Sequence, residues 1–292
     1  MKIEHLFDKD TFTLTYVVYD ETSKDAIIID PVLDFDPASG KISTHSFLQL
    51  VNKIRDLEVS VKMILETHAH ADHLSSSQLL KKRYPHATLA IGENIRVVQK
   101  AFKSIFNLDD QFKTDGSQFD RLFKDGETVM AGSLRFKVIF TPGHTPACSS
   151  YFFDNAIFTG DALFMPDYGT GRCDFPAGCA EELYQSIHKK LYQLADHTKV
   201  YVGHDYLPGG RDLAFMSTIK EQKEKNIQLK QSTTKEEFIK MRRNRDKSLN
   251  APKLLFPSVQ VNMNAGDLPQ PESNGNVYLK IPIKKDESIL QK

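Results

Sequence analysis

The feature that most constrains this chain is a short apolar strand that leads directly into a dense cluster of histidines. Residues 61–65 (VKMIL) predict the strand, and residues 67–73 (THAHADH) follow it. Side chains two residues apart in an extended segment point to the same side, so the first two histidines share one face. Four side chains of this loop are of the types that bind zinc or non-haem iron: His68, His70, Asp72 and His73. The cluster predicts a metal centre at the carboxyl end of the strand.

Three later segments repeat a pattern of strand, small residue and ligand-type side chain. The side chains are His144 in the TPGHTP segment, Asp161 after Gly160, and His204 after Gly203. Taken one at a time, each segment is more simply interpreted as structural. Together with the first cluster, they make up a complete ligand set for a metal site.

The rest of the chain alternates between strand and helix patterns. Runs of apolar, β-branched and aromatic residues predict strands over 11–19, 26–29, 61–65, 88–91, 128–130, 134–140, 149–153, 156–159 and 200–202. Helical patterns cover 47–57, 74–84, 93–106 and 181–195, with two more helices expected within 213–245. Because strands and helices recur in each half of the chain, we expect an α/β fold. Its two sheets would pack face to face between helices, as a four-layer αββα sandwich.

The composition of the chain changes after Gly209 and Gly210, where it becomes highly charged and helix-prone. We therefore expect a catalytic core over residues 1–210 and a helical and irregular extension over residues 211–292 that packs on it. Within the extension, residues 257–271 are rich in Pro, Asn and Gly and predict an irregular tail.

The overall composition is that of an ordinary globular protein and excludes several functional classes. Lys+Arg and Asp+Glu both number 38, so nothing predicts general attraction to nucleic acid or to an acidic membrane surface. No run approaches the roughly 20 apolar residues that a membrane span needs. The three cysteines argue against a disulfide framework, and the first residues lack the apolar region of a secretory signal. We expect a cytoplasmic protein.

The histidine cluster with its later His, Asp and His resembles the pattern of the metallo-β-lactamase fold. The resemblance covers roughly residues 10–210. It implies an αββα sandwich with the metal in the cleft between the edges of the two sheets. This fold supports hydrolases, nucleases and oxygenases, so the fold alone does not settle the reaction.

Five further segments are similar to those of persulfide dioxygenases, which oxidise glutathione persulfide with O₂ to sulfite and glutathione. They are GDALF at 160–164, GTGRCDF at 169–175, HDY at 204–206, and the tail segments FPSVQVN and YLKIP at 256–262 and 278–282. This resemblance implies one Fe(II) per chain, held by His68, His144 and Asp161, with coordination positions left for persulfide and O₂. The remaining ligand-type residues would then orient ligands and bound oxygen species: His70, Asp72, His73 and His204.

The same resemblance suggests substrate contacts, each with a structural alternative. Arg172 would bind a carboxylate of glutathione through its guanidinium group, or else form a salt bridge with Asp174. Tyr206 would donate a hydrogen bond near the metal, or else merely pack beside His204. Cys173 is given no catalytic role, and a homodimer is expected only by analogy with the family.

Two other functions remain open at this point. A binuclear zinc thioester hydrolase of the glyoxalase II type would use as ligands His68, His70, Asp72, His73, His144, Asp161 and His204. Zn(II) would generate hydroxide at neutral pH in such a site. A metal- or persulfide-binding sensor without turnover is the third hypothesis, although it predicts the loss of some ligand-type groups and none is missing.

Overall fold

The computed structural model describes residues 1–283 and contains fifteen strands and seven α-helices in that range. The strands are β1 (Lys2–Asp8), β2 (Thr13–Tyr19), β3 (Asp25–Ile29), β4 (Val32–Asp36), β5 (Lys41–Ser43), β6 (Ser60–Leu65), β7 (Leu74–Ser75), β8 (Thr88–Gly92), β9 (Arg121–Phe123), β10 (Thr128–Ala131), β11 (Leu134–Phe140), β12 (Ser149–Phe153), β13 (Ala156–Phe158), β14 (Lys199–Tyr201) and β15 (Met216–Thr218). The helices are α1 (His45–Asp56), α2 (Ser77–Arg83), α3 (Ile95–Ile105), α4 (Ala180–Lys189), α5 (Ile219–Lys225), α6 (Lys235–Lys247) and α7 (Leu255–Asn262). None of the helices within residues 1–283 is long and apolar enough to cross a membrane.

Two six-stranded sheets form the centre of the molecule. The first has the order β1-β2-β3-β6-β8-β9, and the second has the order β10-β11-β12-β13-β14-β15. Their inner faces meet through aromatic side chains: the ring of Tyr16 on β2 lies 5.0 Å from that of Phe158 on β13. Phe123 on β9 similarly meets Phe136 on β11 at 5.8 Å. The apolar faces of the strands thus bury each other between the sheets.

Helices cover the outer surfaces of both sheets. Apolar side chains of α1, α3 and α7 share a buried cluster with residues of β3 and β6, such as Ile28 and Ile64. The second sheet shares its cluster with Leu183 of α4, Ile219 of α5 and Phe238 of α6. The predicted αββα sandwich is therefore confirmed.

The extension after residue 210 supplies α5, α6 and α7, and its last nine residues, 284–292, lie outside the described residues. The expectation of an irregular tail over 257–271 is wrong at its start, because α7 continues to Asn262. Pro257 is tolerated because it occupies the first turn of this helix, where backbone N–H groups have no partner within the helix.

Other differences lie at short or edge strands. The sequence did not predict β1, β4, β5, β9 or β15. Strand β9 lies within residues 109–125, whose polar composition predicts a connection without a strand. Leu74 and Ser75 pair with β4 instead of beginning the predicted helix, which starts at Ser77. Strands of two or three residues, such as β5, β7, β9 and β15, carry too few residues for a periodicity to appear. Length does not explain β1, which has seven residues and forms the edge of its sheet.

Candidate metal centre

Four strands end at one edge of the sandwich and deliver the predicted ligand residues there. The 67–73 loop follows β6, and His144 follows β11 by four residues. Asp161 follows β13, and His204 follows β14, each after a short turn. The structure brings all seven predicted ligand-type side chains together at this edge.

His68, His144 and Asp161 form the first group, with one ligand atom from each residue lying within 4.8 Å of the others. Oδ2 of Asp161 lies 3.9 Å from Nε2 of His68 and 3.5 Å from Nε2 of His144. All three residues are buried. Nε2 of His68 and Oδ1 of Asp161 have no hydrogen-bond partner within residues 1–283. Buried polar atoms without partners are costly, so this convergent set fits a bound cation.

His70, Asp72 and His73 form a second group with the same 4.8 Å spacing. His204 lies next to it, with Nε2 3.2 Å from Oδ2 of Asp72 and 3.4 Å from Oδ1 of Asp161. The two oxygens of Asp161 thus face different groups. The donor set fits either one metal ion at the first group or one ion at each group.

Hydrogen bonds to backbone carbonyls determine which ring nitrogen of His144 and of His73 is free to bind a metal. Nδ1 of His144 donates to the carbonyl oxygen of Arg172 at 2.6 Å, and Nδ1 of His73 donates to that of Leu74 at 3.0 Å. A carbonyl can only accept, so in each ring Nδ1 carries the proton and Nε2 offers a lone pair. The Nε2 atoms are therefore ready to bind a metal.

The pKa of His70 is shifted in the opposite direction from those of His68 and His73. Burial would lower the pKa of His70, but the nearby Asp30 and Glu66 carboxylates raise that pKa to about 10. Its Nε2 lies 3.0 Å from Oδ1 of Asp30. Burial and neighbouring histidines instead hold the pKa of His68 well below its usual value, and burial, with a further contribution from His70, lowers the pKa of His73 to about 3. Neutral imidazoles are the form that binds metal.

Asp30 was missed by the sequence analysis, although it follows a predicted strand in the same way as the other ligand-type residues. It accepts hydrogen bonds from the backbone nitrogen and the hydroxyl of Thr67, at 2.7 and 2.8 Å. These bonds hold the start of the histidine loop against the end of β3.

A cavity of about 360 Å³ opens over the first group. Its lining includes His144, Asp161, Asp72, Phe164, Tyr168, Arg172, Tyr206, Arg245 and Lys253. The last two residues come from the extension after residue 210. A small ligand in this cavity would therefore contact the metal centre, aromatic rings and positive charges at once.

Arg172 and Tyr206 both line this cavity, so their predicted substrate contacts remain predictions. Arg172 also pairs with Asp174, with nitrogen–oxygen distances of 2.5 and 2.6 Å, and donates to the carbonyl of Asn250 at 2.7 Å. The salt-bridge alternative is thus present in the structure. The ring of Tyr206 stacks on that of His204 with 5.6 Å between centroids, as the packing alternative predicts.

Arg245 and Lys253 are two cationic residues of the cavity that no sequence pattern indicated. The guanidinium of Arg245 lies 6.0 Å from the ring centre of Tyr168. Neither cation has an ion-pair partner within the described chain. Helix α6 carries three arginines, of which Arg242 and Arg245 line the cavity and Arg243 does not. No sequence pattern separates these three residues.

Known proteins of one superfamily are similar to this chain along most of its length. Residues 8–209 match the family described as the metallo-beta-lactamase superfamily. Glyoxylase B2 of Dictyostelium discoideum is 50% identical over 283 residues, covering 97% of this chain and 97% of that protein. The mitochondrial persulfide dioxygenase ETHE1 of Homo sapiens is 30% identical over 266 residues, covering 90% and 88% respectively.

A solved structure agrees with these matches. The crystal structure of ETHE1 from Myxococcus xanthus aligns with a TM-score of 0.74 and 32% identity, covering 91% of this chain and 100% of that one. The αββα sandwich, the ligand residues at its edge and the match over residues 8–209 agree with one another. The chain belongs to the metallo-β-lactamase superfamily.

Proposed function

We propose that this protein is a persulfide dioxygenase that uses one Fe(II) held by His68, His144 and Asp161. The observation that carries the proposal is this two-histidine, one-carboxylate group at the floor of a cavity bearing free cations. Three protein ligands of this kind are typical of non-haem iron oxygenases. The similarity to a persulfide dioxygenase along 90% of the chain supports the same reaction.

The reaction balances without a further reductant. One glutathione persulfide anion, one O₂ and one water give glutathione, sulfite and a proton. The sulfur–sulfur bond breaks, the outer sulfur loses four electrons, and O₂ gains them. Bound Fe(II) would supply the coordination positions at which the persulfide sulfur and O₂ meet.

The residues of the chain bind and orient the substrate in this proposal. Arg245 and Lys253 attract the carboxylates of glutathione, because charge-assisted hydrogen bonds to carboxylate are stronger than neutral ones. Arg172 adds a third contact if the substrate shares its guanidinium with Asp174. Tyr206, whose pKa burial raises well above its usual value, stays protonated and can donate a hydrogen bond near the sulfur.

The second group of ligand-type residues favours one alternative, a binuclear zinc thioester hydrolase. Nε2 of His73 and Nε2 of His204 lack hydrogen-bond partners within residues 1–283, and Asp161 faces both groups. Two bound Zn(II) ions would supply a hydroxide for thioester hydrolysis. The name of the 50% identical relative, Glyoxylase B2, agrees with a hydrolase of the glyoxalase II type.

Metal content and oxygen consumption distinguish the two functions. The protein would be purified without added metal and analysed for iron and zinc. It would then be mixed with glutathione persulfide in an oxygen electrode, and separately with a glutathione thioester. We expect one iron per chain and one sulfite formed for each O₂ consumed. Two zinc ions per chain with thioester hydrolysis and no O₂ uptake would establish the alternative, and metal binding without either turnover would indicate a sensor.

A further inference from the structure

One loop of the core touches two of the three residues in the first metal-binding group. This ligand-backing loop, residues 168–173, carries the carbonyl of Arg172 that accepts from Nδ1 of His144 at 2.6 Å. Its Gly171 donates from the backbone nitrogen to the carbonyl of Asp161 at 3.1 Å. A Cβ atom at Gly171 would lie 2.2 Å from that carbonyl oxygen, so the loop packs directly on the metal centre. A shift of the loop would move both ligands.

The loop is held from its other side by side chains of the extension. Oδ2 of Asp246 on α6 accepts from the backbone nitrogen of Cys173 at 2.9 Å. Arg242, one turn earlier on α6, donates to the carbonyl of Thr170 at 3.2 Å. Gln228 donates to the carbonyl of Tyr168 and accepts from the backbone nitrogen of Thr170, at 2.8 and 3.2 Å. Tyr168, Thr170 and Cys173 of the loop are thus tied to α6 or to the segment before it.

A buried ion pair anchors these contacts. Arg242 is only 1% exposed, and its guanidinium lies 2.6 Å from Oδ1 of Asp246 and 2.8 Å from Oε1 of Gln228. The presence of a buried ion pair is weak evidence that it stabilises the fold, since apolar side chains of similar volume can often replace one without loss. Its hydrogen bonds to the loop backbone suggest a different reason for its presence.

We propose that Arg242 and Asp246 are positioning residues, which set the orientation of His144 and Asp161 through the ligand-backing loop. Fixing the Arg172 carbonyl fixes the ring of His144 and keeps the proton on Nδ1. Partners that orient a metal-bound histidine in this way typically change metal affinity 10–100-fold when removed. The inference rests on the metal centre of the proposed function, but it holds for iron or zinc.

The decisive variant replaces the pair by apolar residues, Arg242→Met with Asp246→Leu. This change removes both contacts to the loop backbone without leaving a lone buried charge. Co(II) affinity would be measured by competition with a chelator, together with the ligand-field spectrum of the Co(II) protein and the Tm of the metal-free protein. We expect the Co(II) dissociation constant to rise 10–100-fold and the bands to shift. The metal-free Tm should also fall, because the buried backbone groups of Thr170 and Cys173 lose their partners.

Two further variants make the result interpretable. Arg243→Met lies on the same helix but breaks only an exposed pair with Glu181, at 2.6 Å, and should leave Co(II) affinity unchanged. Asp246→Asn keeps the size of the side chain, but its amide cannot accept from both Arg242 and Cys173. Asp246→Asn should also raise the Co(II) dissociation constant. If the double variant does not fold, this single variant tests whether the pair positions the metal ligands.

The proposal is overturned if Co(II) affinity and spectrum match those of the parent in the folded double variant, or in Asp246→Asn if only that one folds. A lower Tm alone, with these two readouts unchanged, would make the pair merely structural. Failure of the parent protein to oxidise persulfide would refute the proposed function and leave this inference standing, because Co(II) binding does not depend on turnover.

Discussion

The side-chain nitrogen of Asn262 donates a hydrogen bond of 2.7 Å to the backbone carbonyl of His73, although the two residues are far apart in sequence. The same nitrogen lies 2.9 Å from the carbonyl of His70, and the side-chain oxygen accepts from the backbone nitrogen of Ser75 at 2.8 Å. A single buried amide from α7 therefore satisfies three backbone groups of the histidine loop. The metal centre of the core depends on the end of the extension for its shape.

Asn262→Leu should destabilise the protein by about 2–4 kcal/mol, since it leaves buried backbone groups without partners at a typical cost of roughly 1–3 kcal/mol each. Urea unfolding of the metal-free protein would measure the loss. Asn264→Ala removes only an exposed hydrogen bond to Asp267 close to the same helix end and should change stability by less than about 0.5 kcal/mol. Equal stability of the two variants would contradict the assigned role of Asn262.

The strand ends and their ligand residues could be predicted from the sequence, because apolar runs and polar motifs are local patterns. The contributions of Asn262, Arg242 and Asp246 could not, since each acts on a loop more than 70 residues away in the chain. Asn262 lies within FPSVQVN, one of the segments that resemble persulfide dioxygenases. Its hydrogen bonds depend on helix α7, which was not predicted because Pro257 disfavours a helix. Charged residues on α6 likewise have no pattern that separates the buried Arg242 from the exposed Arg243.

His144→Ala should remove bound metal and reduce O₂ uptake with glutathione persulfide by more than about 100-fold. Even residues that only hydrogen-bond to a ligand are typically worth about 10–100-fold, and His144 is assigned as a ligand itself. Iron content and oxygen consumption would be measured together. The exposed His86→Ala is the matched control and should retain both. Full activity in an iron-free His144→Ala protein would refute the assignment of the first group.

Arg245→Ala should raise the KM for glutathione persulfide by about 10-fold and leave kcat nearly unchanged, because it removes a charge-assisted contact made equally before and during reaction. Arg172→Ala should also raise KM more than it lowers kcat, but its effect includes the loss of the pair with Asp174. Steady-state kinetics with a persulfide that lacks carboxylates provides the control. If Arg245→Ala raises KM equally for that carboxylate-free substrate, the proposed carboxylate contact is wrong.

The stability of the metal-free protein should fall as the pH rises from about 7 to 8.5. The folded-state pKa of His70 is raised to about 10 by Asp30 and Glu66 against the effect of burial, whereas an unfolded histidine titrates near 6.5. The folded state therefore holds a proton that the unfolded state loses, so the stabilisation is complete below pH 6.5 and is lost as the pH approaches 10. His70 alone should contribute a slope that approaches about 1.4 kcal/mol per pH unit. Burial raises the pKa of Glu66 to about 7, so this carboxyl group adds to the fall in stability near pH 7.

Asp30→Asn tests the origin of this slope. The amide keeps the shape of the side chain but removes the charge that lies 3.0 Å from Nε2 of His70, so the raised pKa should move back toward its usual value. Urea unfolding of both metal-free proteins between pH 7 and 8.5 should then give a flatter profile for the variant than for the parent. Identical slopes would mean that Asp30 does not hold the proton on His70, and a slope of opposite sign in the parent would mean that His70 is neutral when folded.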